Sequence, residues 1–505
     1  MAESAVPWAD DTRPSWVLAL CGVGGVILLM AGLFWSGGRS AVSLWVQSSA
    51  YNHCFLILPV FFYMVWFNRA ELRGLVPRPT LWGGGVILGS AGLWLLSHLS
   101  GVAEGVQFAI VGMVQGVLLT VLGGRIYLQL LLPFCYLWLL VPSGESLVPG
   151  LQLVTARAAA WLLDLVGIAT FLDGIGIEVP SGAYLVAPGC AGLNFVLAAL
   201  ATSVAFAEMI YRSWRRRVAF VLAMLVLAVV GNALRVFLII AIAHATNNVG
   251  NIADDHIVYG WAFFSVLLLG AMALGQRYRQ DPPPPRMVAV AVPPVASASI
   301  LRAAALSAVL VAAAPALAGL CWPAGERPVV VPPLLSCGSS ELLAASPEWP
   351  AVVDQVDGLA SIDCGRDGRH VHLAVAILDR PVRLGKLIGV ERWVAAGGGW
   401  SRMTRLVTVQ HIGGRSIPVQ VDLEIRGSHR RRSWSLFWAG DAWRRPGLRA
   451  AMADLRADLA GHRRAVLVLA ATEADMGDTA ADEALRTFLE GLPLARLTTT
   501  DAGGD

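Results

Sequence analysis

Three residues whose types suit acyl transfer stand in separate segments of the chain: Cys190, Arg235 and His256. A cysteine sulfur can attack a carbonyl carbon, a guanidinium can stabilise the resulting oxyanion, and an imidazole can protonate the leaving amine. Of the three, the cysteine alone would more often be structural, because free cysteines are usually buried. Their occurrence together at one membrane face therefore predicts a site for acyl transfer.

Cys190 follows Pro188 and Gly189 and immediately precedes an apolar run over residues 191–211. This order predicts a cysteine at the N-terminus of a membrane helix. Unpaired N–H groups and the helix dipole at such a position favour a negatively charged sulfur. The proline and the glycine predict an abrupt entry into the helix, which leaves the sulfur accessible.

Arg235 lies inside the apolar run 218–245, which begins after a cluster of arginines. Seventeen residues at about 1.5 Å each put it roughly 26 Å along a helix, in the outer half of the bilayer. A guanidinium is costly there unless it serves a site or a partner, although an arginine can also reach towards the outer headgroups. Asn232 lies three residues earlier on the same helical face and is predicted to support the site.

His256 follows Asp254 and Asp255 in a loop that enters the next apolar run. Imidazole exchanges a proton near neutral pH, and Asp255 is placed to orient its ring. His244 is an alternative, but it comes nine residues after Arg235, which is about 180° around a helix. We therefore predict His256 as the general acid and base.

Composition indicates a membrane protein, since 56% of the 505 residues are hydrophobic and 14% are charged, against about a quarter in soluble domains. The arginines form loop clusters and no basic face, so no nucleic-acid partner is expected. Seven cysteines without metal-ligand spacing predict no metal or cofactor. The apolar runs predict a polytopic α-helical protein with about nine transmembrane helices. They lie at roughly 16–35, 53–68, 80–98, 106–123, 126–142, 191–211, 218–245, 257–275 and 302–320.

Loop charges predict the orientation of these spans, because arginine-rich loops remain in the cytoplasm. The clusters lie in alternate loops: Arg69, Arg73 and Arg78; Arg125; Arg212, Arg215, Arg216 and Arg217; and Arg277, Arg279 and Arg286. Alternation then requires that residues 150–170 do not cross the membrane. That segment carries Arg157 and Asp164 on one helical face, so we expect an amphipathic or re-entrant helix at the outer surface.

The predicted organisation has five parts. They are a cytoplasmic segment 1–15, a multi-spanning catalytic domain 16–280, a Pro-rich cytoplasmic linker 281–301, a final transmembrane helix 302–320 and a periplasmic α+β domain 321–505. In the last part, alternating patterns predict strands, and one amphipathic pattern predicts a helix. The strands are His370–Leu378, Ile417–Ile425, Trp434–Trp438 and Ala465–Ala470, and the helix is Pro446–His462.

Two features of residues 321–505 bear on chemistry. His370 and His372 alternate onto one strand face, but no acidic or cysteine partner is near in sequence, so a metal site is not predicted. Cys337 and Cys364 are available to pair in an oxidising periplasm, and the sequence leaves open whether they do.

Several motifs resemble the exosortase family, in the form fused to the exosortase-associated C-terminal domain. They cover roughly residues 15–280: Val179-Pro180-Ser181-Gly182, Gly189-Cys190-Ala191-Gly192-Leu193, Asn232-Ala233-Leu234-Arg235, Asp255-His256-Ile257-Val258-Tyr259-Gly260-Trp261 and the early Tyr51-Asn52-His53. The tail resembles the associated domain more loosely, through Ser433–Trp438 and Ala465–Leu469. The family usually has Ala before and Ser after the cysteine, where this chain has Gly189 and Ala191.

The resemblance implies a cysteine protease or transpeptidase in the inner membrane of Gram-negative bacteria that make extracellular polysaccharide. Its expected partners are exported proteins with a C-terminal PEP-CTERM sorting signal, membrane lipid, and the polysaccharide or its assembly machinery. It implies Cys190 as the nucleophile that forms an acyl-enzyme, with Arg235 and His256 as the other catalytic residues. A non-enzymatic component of polysaccharide export or assembly is the alternative, in which Arg235, Arg157 and Asp164 line a path.

Overall fold

The structure is a computed structural model, and its described residues form two compact units, one of helices and one around a C-terminal sheet. It describes residues 13–72, 75–99, 102–246, 252–280, 295–321, 337, 341–343, 358–366, 369–378, 401–426, 429–439, 441–445, 453, 456, 465–474, 479–492, 494 and 497. Each unit is described by itself.

The helical unit contains twelve α-helices among the described residues. They are α1 (Arg13–Leu33), α2 (Trp35–Gln47), α3 (Cys54–Phe67), α4 (Trp82–Leu99), α5 (Ala103–Leu122), α6 (Gly124–Gln129), α7 (Leu131–Tyr136), α8 (Val148–Leu165), α9 (Leu193–Ile210), α10 (Trp214–Ala245), α11 (Ile252–Gln276) and α12 (Ser297–Cys321). Most of the apolar runs of the sequence therefore form helices where they were predicted.

Six helical segments in the described part of the chain are long and apolar enough to cross a membrane. They are Pro14–Leu33, Ala103–Leu122, Glu145–Leu165, Pro188–Ile210, Trp214–Ala245 and Ser297–Leu320. The count of about nine spans is not confirmed. Shorter apolar helices occupy Cys54–Ala70, Leu131–Leu140 and Gly260–Gln276.

The span expected over residues 126–142 is not confirmed, because the chain there is not one continuous helix. The chain forms α6, then α7, then a 3-10 turn over Leu137–Leu140. Leu130 leaves helical geometry between the two helices, with φ −102° and ψ 23°. Pro133 has no N–H with which to continue the hydrogen-bond ladder of α6, so the break has a covalent cause.

The segment expected to lie on the outer surface, residues 150–170, forms α8 after a 3-10 turn over Glu145–Leu147. Arg157 and Asp164 are both exposed on it, as their spacing predicted. By length and composition this segment also qualifies as a membrane span, so its assignment as a surface helix is not confirmed.

Arginine-bearing loops meet at one end of the helical unit. Arg212 Nη1 lies 2.8 Å from a carboxylate oxygen of Glu71, which also accepts a hydrogen bond from Gln129. Arg216 Nη1 donates to the carbonyl of Tyr278 at 3.1 Å. Loops that charge alone assigned to one side of the membrane therefore lie together in the fold.

A small antiparallel sheet connects α8 to α9. Its strands are β1 (Phe171–Asp173), β2 (Gly176–Val179) and β3 (Gly182–Leu185), in the order β1-β2-β3. Ile177 of β2 is buried among Leu163 of α8 and Ile240 of α10, and Cys190 packs against the same cluster. The small sheet thus packs, through this cluster, against the segment that carries Cys190.

The C-terminal unit is an antiparallel sheet with a helix, α13 (Thr479–Glu490), on one face. Its strands are β4 (Glu341–Leu343), β5 (Gly358–Arg366), β6 (Arg369–Leu378), β7 (Ser401–Ile412), β8 (Arg415–Arg426), β9 (His429–Ala439), β10 (Ala442–Arg444) and β11 (Ala465–Glu473). The order is β4-β5-β6-β11-β9-β8-β7, with β10 paired to β9. The four predicted strands are confirmed. The predicted helix Pro446–His462 lies outside the described residues, apart from 453 and 456.

The sheet has one apolar and one polar face. Leu485 and Phe488 of α13 pack on the apolar face. On the polar face, His372 Nδ1 lies 2.6 Å from Oδ1 of Asp363, and His370 Nε2 lies 3.5 Å from the same oxygen. Burial lowers the pKa of His372, although the Asp363 carboxylate opposes that effect. Sequence analysis missed Asp363 as a partner of His372 because the two residues lie on neighbouring strands and meet only when the strands pair. No metal-binding group of three ligands occurs in the described part of the chain.

A disulfide joins Cys337 to Cys364, with their Cα atoms 5.6 Å apart. Cys364 lies in β5 and is fully buried in the core of the sheet. The pairing that the sequence left open is therefore present, and it ties the chain before β4 to the second strand of the sheet.

The disulfide leads to a stability prediction. Replacing both Cys337 and Cys364 with Ala should destabilise the C-terminal unit by about 3 kcal/mol, since the bond closes a loop of 27 residues. Urea-dependent proteolysis of the full chain, followed through peptides of β5 and β6, measures the change. Cys135→Ala, at an exposed free cysteine, is the control. An unchanged urea midpoint in the double variant would contradict the prediction.

Candidate active site

Cys190 ends a 3-10 turn, Pro188–Cys190, and is half-buried with a free thiol. Its own N–H donates to the carbonyl of Ala187 at 2.8 Å. Gly192 adopts φ +87° and caps α9, which begins only at Leu193. Cys190 thus lies three residues before α9, within the candidate membrane span Pro188–Ile210, in keeping with its position before the apolar run. The dipole of α9 acts chiefly within its own first turn, which the cysteine precedes.

Asn232 of α10 holds the cysteine backbone. Its Nδ2 donates to the carbonyl of Cys190 at 2.9 Å and to Oγ1 of Thr155 at 3.0 Å, and only 1% of the residue is exposed. A Cβ on Gly192 would come within 2.5 Å of the Asn232 side-chain Cγ. A glycine at 192 therefore allows the turn to bend and lets the amide approach it.

Arg235 lies one turn further along α10 and is only 7% exposed. Its Cζ lies 5.5 Å from the ring centroid of Phe195 in α9, and Phe195 stacks on Phe264 of α11 at 4.5 Å. A Cβ on Gly260 of α11 would come within 2.5 Å of Arg235 Nε. The guanidinium is therefore held between α9 and α11, where the aromatic face and the bare helix backbone leave room for it.

The length of α10 fixes the depth of these side chains. The helix begins at Trp214, near the end where the arginine-bearing loops meet. Asn232 and Arg235 are 18 and 21 residues further on, about 27 and 32 Å at the usual rise of a helix. That distance is close to the thickness of a bilayer core, so the site lies near the opposite face.

His256 lies on α11, whose first residue is Ile252. We expected a loop at this point, and the correction is that the helix begins before the histidine. The structure describes only the backbone of residues 252–259, so the side chains of Asp254, Asp255 and His256 lie outside the described residues. His256 precedes Gly260 by four residues, about one turn of α11, and Gly260 is the residue of that helix whose added Cβ would meet Arg235.

His244, the alternative general base, contacts a residue outside the group around Cys190 and Arg235. Its Nδ1 lies 3.0 Å from Oγ of Ser181, in the turn between β2 and β3. His244 thus contacts the small sheet, in keeping with its position about 180° from Arg235 around α10.

The structure brings two of the predicted residues into contact, Cys190 and Asn232, and it places Arg235 one turn further along α10, against Phe195. Sequence reasoning missed Gln152 and Thr155, which are buried on α8. Gln152 Nε2 donates to the carbonyl of Val186, just before the cysteine turn, at 2.8 Å. Their polar types within a buried helix face were a usable signal, but the charges of Arg157 and Asp164 dominated the interpretation of that segment.

Arg157 and Asp164 do not join this group. Both are exposed on α8, and Asp164 accepts a hydrogen bond from Thr170 at 2.5 Å. Arg235 is buried, so these charges do not share an environment with it. A path lined by all three residues is not favoured by this arrangement.

The turn at Gly192 leads to a prediction with a matched control. Gly192→Ala places a Cβ against the buried Asn232 amide and requires a left-handed backbone, so it should destabilise the protein by about 2 kcal/mol or more. Gly189→Ala should have little effect, because a Cβ there meets no atom within 4 Å. Thermal unfolding in detergent measures both. Equal melting temperatures for the two variants would refute the account of the turn.

Comparison with known protein families matches residues 45–273 to the transmembrane exosortases. The matched part contains Cys190, Asn232, Arg235 and His256. Searches of curated proteins and of solved structures found no match. The C-terminal sheet lies outside the matched residues, so its likeness to the exosortase-associated domain stays an expectation. Through residues 45–273, the chain belongs to the transmembrane exosortase family.

Proposed function

We propose that this protein is a membrane-embedded cysteine transpeptidase that cleaves C-terminal PEP-CTERM sorting signals of exported proteins. The observation that carries the proposal is the contact of Asn232 with the Cys190 carbonyl, one helical turn from the buried Arg235. A half-buried thiol and a buried guanidinium, connected through Asn232 and one turn of α10, suit acyl transfer. Membership of the exosortase family supports the same reaction.

In the proposed reaction, the sulfur of Cys190 attacks the carbonyl carbon of the scissile peptide bond. The guanidinium of Arg235 stabilises the oxyanion, and His256, oriented by Asp255, protonates the leaving amine as the C–N bond breaks. This leaves a thioester between Cys190 and the new C-terminus of the substrate. An acceptor nucleophile or water then attacks the thioester, gives its proton to the neutral His256 and releases the sulfur of Cys190 as a thiolate, which restores the starting pair of thiolate and protonated imidazole.

The proposed location is the inner membrane, with the N-terminus in the cytoplasm and the site at the outer face. Two observations support this orientation. Loops with Arg212 and Arg216 lie at the end of α10 opposite to Arg235. The Cys337–Cys364 disulfide suits a C-terminal domain in an oxidising periplasm. Proposed partners are the signal-bearing exported proteins, lipid, and extracellular polysaccharide or its assembly machinery.

Co-expression with a tagged PEP-CTERM substrate tests the proposal. Cys190→Ala should abolish processing at equal membrane levels, because it removes the nucleophile. Cys21→Ala, at an exposed free cysteine of α1, should process as the wild type does. Immunoblotting of precursor and product gives the measurement.

The alternative, a non-enzymatic component of polysaccharide export or assembly, makes the opposite prediction. Cys190→Ala would then be harmless, while neutralising Arg157 and Asp164 would abolish export. Full processing by Cys190→Ala would therefore overturn the transpeptidase and favour the alternative.

Gly260 supplies a second prediction for the same reaction. Gly260→Ala places a Cβ within 2.5 Å of Arg235 Nε, so the guanidinium must move. We expect processing to fall by about tenfold or more, as for loss of an oxyanion donor. Gly270→Ala, in the same helix with no atom within 4 Å of its Cβ, should retain activity. Equal processing by the two variants would argue against a role of Arg235 at the reacting carbonyl.

A further inference from the structure

The segment between β3 and α9 carries the cysteine but has few hydrogen bonds of its own. Ala187, Cys190 and Ala191 donate to carbonyls only two or three residues back, at Leu185, Ala187 and Pro188. Val186, at the start of the segment, also donates to the carbonyl of Ile175 at 3.0 Å, but the local bonds after it shape the cysteine turn without attaching it to a neighbouring helix. The position of the sulfur therefore depends on side chains that reach the segment from neighbouring helices.

Two contacts from α8 supply that attachment, one before the cysteine turn and one at it. Gln152 Nε2 donates to the carbonyl of Val186 at 2.8 Å. Thr155 Oγ1 accepts a hydrogen bond from Asn232, whose amide also holds the carbonyl of Cys190. Gln152 and Thr155 are three residues apart, so both point from one face of α8, and both are buried.

The hydroxyl of Thr155 gives the Asn232 amide a second contact. The carbonyl of Cys190 can only accept a hydrogen bond, so Nδ2 must face Cys190, and its second hydrogen goes to Thr155. The Asn232 Oδ1 is buried without a hydrogen-bond partner in the part of the chain that the structure describes. Thr155 is therefore the described side chain that shares with the Cys190 carbonyl the task of holding the amide in place.

We infer that Gln152 and Thr155 are positioning residues for Cys190, acting through the Val186 carbonyl and through Asn232. The inference rests on the proposed function for its catalytic consequence. A nucleophile must stay within about 0.5 Å of its productive position, and a shift of about 1 Å can reduce the rate roughly 100-fold. Removing the Thr155 hydroxyl should therefore lower kcat while leaving KM nearly unchanged.

Thr155→Val tests this, because it removes the hydroxyl and keeps the shape of the side chain. The expected result in the purified full chain is a kcat about tenfold lower with KM within about twofold of the wild type. Thr155→Ser restores the hydroxyl and should restore most of kcat. Gln152→Met, which removes the other attachment, should lower kcat in the same direction.

Thr120→Val is the matched control. Thr120 is as deeply buried as Thr155, but its hydroxyl donates within its own helix, to the carbonyl of Gly116 at 2.7 Å. It should leave kcat unchanged. A Thr155→Val enzyme with wild-type kcat, or a Thr155→Ser enzyme as slow as Thr155→Val, would overturn the inference.

A second readout does not depend on the proposed reaction. Iodoacetamide labelling of Cys190, resolved by mass spectrometry, should become about threefold to tenfold faster in Thr155→Val, since the turn is released. Cys54, which is buried in α3, serves as the internal reference and should keep its rate, whereas unfolding would raise both. Unchanged labelling of Cys190 would overturn the inference. If Cys190 of the wild-type protein is labelled as expected but the protein cleaves no PEP-CTERM substrate, the result would instead overturn the proposed function.

Discussion

A single side-chain amide connects the parts of this site. Asn232 sits in a helix of 32 residues and holds the carbonyl of a cysteine that belongs to a separate turn. In an apolar interior, an unmade hydrogen bond costs about 1 to 3 kcal/mol, so both groups depend on the contact. The contact also fixes the register of α10 against the cysteine segment. Arg235, one turn further on, then lies against Phe195 of α9, the helix that begins directly after the cysteine turn.

The long helix gives the site its depth as well as its register. Its N-terminal end is attached near the arginine-bearing loops, where Arg217 forms a buried ion pair of 2.6 Å with Glu208 of α9. Such a pair is costly to break, because either partner would leave an uncompensated charge. One end of α10 is thus attached to α9 by an ion pair, and the end that carries the site is attached to the cysteine turn by the amide.

The sequence predicted the helices, the strands and the position of Arg235 inside a helix because those signals are local. Apolar runs, alternating patterns and a buried arginine can be recognised without knowledge of the fold. The failures involved contacts between distant segments. Thr155 and Gln152 gain their meaning only when α8 lies against the cysteine turn, and Asp363 only when β5 lies beside His372. Pro133 was visible, but hydropathy outweighed it, and the span at 126–142 was predicted as continuous.

The disulfide between Cys337 and Cys364 has a consequence for the biogenesis of the chain. β4 pairs with β5 over only three residues, so the covalent bond does most to hold this margin of the sheet. A chain whose C-terminal unit stayed among reduced thiols would complete its helices but leave that margin open. The oxidation state of Cys337 and Cys364 therefore depends on whether the C-terminal unit reached an oxidising compartment before its sheet formed.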